Sequence, residues 1–147
     1  MYEISVFLHS IFRWLVLISL AYAIIRSIQG FMSKRAYNKA DNIIRVIVTT
    51  ISHTQLIIGF SLYFLLSPIA QYFIKHGSGG NYEIWFFGIY HIAMMFGSIV
   101  VMTIGSSVAK RATTDQAKFK NIAIYFSIAL TLVLLAIPWF RPLLRNL

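Results

Sequence analysis

The sequence predicts an all-α integral membrane protein, an up-down bundle of four spanning helices with both termini on the periplasmic side. Three observations predict it. Of 147 residues, 59% are hydrophobic and 12% charged, where a soluble domain carries about 25% charged residues. The apolar residues run in four long stretches rather than in periodic stripes, and each stretch is close to the ~20 residues that cross a bilayer. The cations sit between the stretches. Nine of them (Arg26, Lys34, Arg35, Lys39, Arg45, Lys110, Arg111, Lys118 and Lys120) surround the first and third connections, against Lys75, Arg141 and Arg145 on the other side. The positive-inside rule then puts both basic connections in the cytoplasm.

The elements follow in order, as one domain. The first span covers about residues 4–29 and stops near Gly30, a residue common just past helix ends. Its N-terminal run has no basic leader and no small-residue cleavage site, so this helix is expected to be retained. Asp41 is the expected cap of the second span, 42–67, which Pro68 closes by disfavouring helix at Ser67. Gly77-Ser78-Gly79-Gly80 makes a flexible outer loop holding the solvated His76. The third span, 83–107, runs into Ser106-Ser107. Thr113-Thr114-Asp115 belongs to a polar loop before the fourth and shortest span, 121–140, whose end is flanked by Pro138 and Pro142.

Composition also excludes chemistry. Cysteine is absent, so there is no disulfide, zinc–thiolate site, iron–sulfur cluster or thiol nucleophile. A net charge of +9 would suggest nucleic acid in a soluble protein. Cations between apolar runs instead face anionic lipid, and no nucleic-acid partner is expected. No carboxylate lies in the interior of any span, so paired-carboxylate catalysis and a carboxylate proton path are absent. An electron-transfer subunit fits better than a stand-alone enzyme.

Ionisable groups inside spans face a cavity or a partner. Deep inside the spans they are His9, Arg13, His53 and His91, with Gln55 as a further polar group. At 1.5 Å rise per residue, His9 lies about 10 Å and His91 about 4–5 Å to the outer side of the midplane, with His53 about 3–5 Å to the inner side. The axial offsets are then about 6 Å for His9–His91, 8 Å for His53–His91 and 14 Å for His9–His53. Two imidazoles on facing helices suit a six-coordinate haem b, and which two stays open. Arg13 would hold a propionate or snorkel outward. Gly59 and Gly97 would leave room for the haem plate or pack helices closely. Trp14 is deep enough to pack inside the bundle. Met94 and Met95 are packing residues.

His9-Ser10-x-x-Arg13-Trp14, His53-x-Gln55-Leu56-Ile57-Ile58-Gly59, Phe86-Phe87, His91-x-x-Met94-Met95, Thr103-Ile104-Gly105, Ala123–Phe126 and Ile137-Pro138-Trp139-Phe140-Arg141 resemble, in order, a family of small bacterial four-helix membrane proteins labelled cytochrome b-like. The resemblance covers essentially the whole chain. It implies a haem-binding protein of the bacterial inner membrane, with His9, His53 and His91 as metal ligands and Arg13, Trp14, Gln55 and Gly59 around them. In that pattern an acid precedes the third-span histidine; here Tyr90 stands there. Expected partners are the bilayer, haem, and a quinone or respiratory complex. The alternatives are a non-redox accessory subunit of a larger membrane complex and a small metal-ion carrier.

Overall fold

The computed structural model describes residues 1–143; Arg145, counted above among the outer cations, lies outside the described residues. The chain is helical, with no strand among the described residues: α1 (Tyr2–Met32), α2 (Lys39–Ser61), α3 (Pro68–His76), α4 (Tyr82–Trp85), α5 (His91–Arg111) and α6 (Asp115–Ala136). A π-helical turn, Leu62–Leu66, extends α2, and another, Phe86–Tyr90, joins α4 to α5. Four helical stretches are long and apolar enough to cross a membrane, and at most 33% of each spanning window is buried inside the protein. Their outward faces carry Ile18, Ile57, Leu65, Phe96 and Leu135, a surface whose natural solvent is lipid.

Packing runs around a square. α1 lies against α2 and α6, and α5 against α2 and α6, so α1 and α5 oppose each other across the diagonal. The connections of residues 33–38 and 112–114 lie at one end, where Gln116 Nε2 donates to the Arg35 carbonyl and Lys118 lies over the Tyr37 ring. The dry core fills the half of the bundle nearer that end: Leu20, Ala23, Val48, Met102, Ile122, Phe126 and Ala129. The other half is not filled in this way.

Local chemistry explains where helices end, and several ends differ from expectation. α1 runs past Gly30 to Met32, and Lys34 takes the left-handed conformation, φ 52°, that turns the chain. Gly30 instead makes room for the Phe119 ring, which an added Cβ would meet at 2.6 Å. Asn38, not Asp41, caps α2. Asp41 sits three residues in, returns a bond to the Asn38 amide and completes a capping box. The same carboxylate accepts from Arg26 Nε at 2.6 Å and Arg35 Nη1 at 2.7 Å, tying α1, the turn and α2 together. That bond raises the Arg35 pKa above its ordinary value.

α6 starts at Asp115, six residues before the expected 121, because Thr114 Oγ1 accepts from Ala117 N and caps a polar first turn that hydropathy does not register. It ends at Ala136 rather than residue 140, because Pro138 forces Ile137 into extended geometry. α5 continues four residues beyond 107 to Arg111. The segment after Pro68, expected as loop, forms α3 with Pro at its first position and Ser67 Oγ as cap.

Two glycines of α5 separate packing from open space. A Cβ on Gly105 would collide with Tyr125 Cβ, which cannot swing away, whereas one on Gly97 meets nothing within 4 Å. Gly105→Ala is expected to cost about 1–3 kcal/mol by overpacking, and Gly97→Ala to gain up to about 1 kcal/mol of helix propensity. Thermal melts of the two detergent-purified variants check both signs.

Candidate functional site

The half of the bundle away from the cation-rich loops contains a cavity of about 180 Å³ between the diagonal helices α1 and α5. It is lined by His9, Arg13, Gln55, Gly59, His91 and Met95, and extends to Tyr2, Ser67 and Arg141 at the bundle end.

His91 is positioned by the end of another helix. Because α6 stops before Pro138, its last carbonyls have no helical donors. Three side chains take them: Trp139 Nε1 on Leu134, Tyr90 Oη on Leu135, and His91 Nδ1 on Ala136 at 2.7 Å. A carbonyl only accepts, so the proton of the neutral His91 ring is on Nδ1 and Nε2 keeps its lone pair. Tyr90 stacks on Trp85 with ring centroids 5.3 Å apart.

His9 reaches in from the opposite corner. The two imidazoles stand edge to face, ring centroids 6.2 Å apart at 66°. Gln55 Nε2 donates to the His9 carbonyl at 2.9 Å, joining α2 to α1. Gly59 lies beside the ring, and a Cβ there would touch His9 Cε1 at 3.4 Å, an ordinary contact.

The polar accounting around this cavity does not close. Among the described residues, six buried side-chain atoms lack a hydrogen-bond partner, and four surround the cavity: His9 Nδ1, Arg13 Nε, Arg13 Nη2 and Gln55 Oε1. Buried polar atoms in folded proteins are nearly always paired. The arrangement therefore suits an occupant that brings an anionic or accepting group to Arg13. Among the described residues, no carboxylate lines the cavity to do so.

The remaining expected residues lie elsewhere. His53 is outside the cavity, in the seam between α2 and α5, with Nδ1 on the Thr49 carbonyl at 2.8 Å and Nε2 3.1 Å from Thr103 Oγ1. Trp14 is 36% exposed on the outer face of α1 rather than packed inside. Gly97 faces open space and lines no part of the cavity. Sequence reasoning missed Arg141, which lies at the cavity end, paired with Glu83 and 4.6 Å over the Phe87 ring. It also missed the π-turns. Tyr63 Oη bridges them by donating to the Gly88 carbonyl at 2.6 Å. Pro68 is the local signal for the first turn, whose Ser67 amide reaches back to the Leu62 carbonyl. π-turns occur often beside functional sites.

Among the described residues, no three His, Cys, Asp or Glu side chains converge on a point that could hold a metal ion. A bare-ion site is thus poorly supplied. A haem needs only two axial ligands, because the porphyrin brings four nitrogens. The side chains that could serve as such donors at this cavity are His9 and His91. The space is tighter: about 180 Å³ is little more than the roughly 150 Å³ that holds one benzene ring. Seating a porphyrin requires the side chains that line the cavity to move apart. No protein-family model, curated protein or solved structure matches this chain.

Replacing Arg13 by Met removes the partnerless guanidinium nitrogens and keeps an unbranched apolar stem. The ligand-free protein is expected to gain about 1 kcal/mol, seen as a raised melting temperature. A lowered one would mean that Arg13 is already satisfied.

Proposed function

We propose that this chain is a haem b-binding membrane protein that transfers electrons, in which His9 and His91 would hold the haem. The observation that carries the reading is the pair of imidazoles opposed across the bundle diagonal, with ring centroids 6.2 Å apart, beside polar atoms without a partner among the described residues.

The residues divide the work. His91, its Nδ1–H held by the Ala136 carbonyl, offers Nε2 in a fixed orientation, as outer hydrogen bonds do for metal-ligating histidines. Arg13 would pair with a propionate, since no carboxylate among the described residues lines the cavity. Gln55 holds the His9 segment against α2. The apolar walls keep water from the site and so help set the potential. When bound, the haem supplies one-electron chemistry. His53 is not a ligand in this reading. The cation distribution supports basic loops in the cytoplasm and both termini outside. The compartment that goes with the reading is a bacterial inner membrane, with electrons exchanged with quinol or a respiratory partner.

Visible spectra of the haem-supplemented protein test the assignment. His9→Ala and His91→Ala are each expected to lose the six-coordinate b-type signal, and His53→Ala to keep it. Arg13→Gln is expected to weaken haem binding about 10- to 100-fold, the worth of a charged hydrogen bond. A wild-type chain without a Soret band, or a signal that depends on His53 and not on His9, overturns the reading.

A further inference from the structure

The packed half of the bundle leaves one guanidinium unfinished. Arg45 is 7% exposed. It lies six residues past Lys39, where the second spanning stretch begins, about 9 Å along the helix. Its Nη1 donates to Ser106 Oγ at 2.5 Å and its Nη2 to Asn42 Oδ1 at 2.9 Å. Its Nε has no partner among the described residues, and none of their carboxylates forms an ion pair with it. Asp41, four residues earlier, cannot complete it. The Asp41 oxygens already accept from Arg26 Nε, Arg35 Nη1, Arg35 Nη2 and the Asn38 amide, and a carboxylate has about four acceptor sites.

A hollow of about 10 Å³ lies against Arg45, which is room for a single water-sized particle. Its polar walls are Arg26, Ser27, Asp41 and Arg45, and the rest of its wall is apolar. Guanidiniums only donate, and the Ser27 hydroxyl can turn to donate. A water would bring two protons to a wall whose one carboxylate is saturated. A particle that only accepts suits this wall better. Charge selects in the same direction, since the guanidiniums of Arg26, Arg35 and Arg45 stand around the single carboxylate of Asp41. A buried cation without a counter-ion is costly, and an anion beside Arg45 relieves that cost. The volume excludes polyatomic anions such as sulfate or a carboxylic acid. Arg26 forms one wall with its side chain 28% exposed, so an ion can enter past it.

We propose that this hollow is a halide site, in which one chloride ion accepts from Arg45 Nε. The ion neutralises Arg45 and joins α1, through Arg26 and Ser27, to α2. Arg45 carries the link on to α5 through Ser106. The site is separate from the cavity of His9 and His91 and stands independently of the haem reading.

The full chain, purified in detergent, tests this. Its melting temperature is followed as sodium chloride, bromide or sulfate replaces sodium gluconate at constant ionic strength. The expected result is a saturable rise with both halides, and binding of sulfate and gluconate at least about tenfold weaker. Ser27→Val fills the hollow and leaves the Arg45 bonds to Ser106 and Asn42 in place. It is expected to melt alike in chloride and gluconate. A wild type equally stable in chloride and gluconate overturns the proposal and gives the hollow to water. A rise that sulfate matches also overturns it, because that is screening of the surface cations. So does a folded Ser27→Val that keeps the full halide response. If that variant does not fold, anomalous scattering from wild-type crystals grown in bromide decides. A peak beside Arg45 Nε upholds the site, and none there overturns it.

Discussion

Hydrocarbon donates and accepts no hydrogen bonds, so each polar group within a spanning helix must find its partner in the protein or in something the protein holds. Much of this structure answers that constraint. Ser98 Oγ donates to the Ala129 carbonyl and closes α5 on α6. Arg45, 7% exposed, reaches across to Ser106 and back to Asn42 on its own helix, with its Nε left over. The freed carbonyls at the end of α6 are taken by Trp139, Tyr90 and His91. Against that background, the partnerless atoms of His9, Arg13 and Gln55 stand out. They gather at one cavity, where a bound group would complete them.

The two halves of the bundle are built for different purposes. Near the basic loops, close approach through Gly105 and Gly30 and a core around Phe126 and Met102 leave little space. Asp41 clamps that end with two guanidiniums. The opposite half trades this packing for a cavity bordered by π-turns and by the Arg141–Glu83 pair. A packed end and a hollow end on the same helices would let a bound group be held without loosening the whole bundle.

The spans were legible because length and hydropathy are properties of a run, and α1, α2, α5 and α6 are long apolar runs. Their ends were less legible. Thr114 extends α6 into water, where apolar counting is blind, and Pro138 stops it early. Helix rotation was the least legible feature. Helices apolar all round carry no stripe to say which face is inside, so Trp14 was placed inward when it points out. The axial ruler brought His9 and His91 within about 6 Å along the membrane normal, and their rings are in fact close. The same ruler could not say that His53 faces the α2–α5 seam, since depth carries no information about direction.

The central claim is that His9 and His91 share one iron. Electron paramagnetic resonance of the ferric protein, reconstituted with one equivalent of haem per chain, tests it most directly. The account predicts a low-spin spectrum of bis-imidazole type that saturates at one haem per chain. A high-spin signal, or haem that never saturates at a fixed stoichiometry, would contradict it.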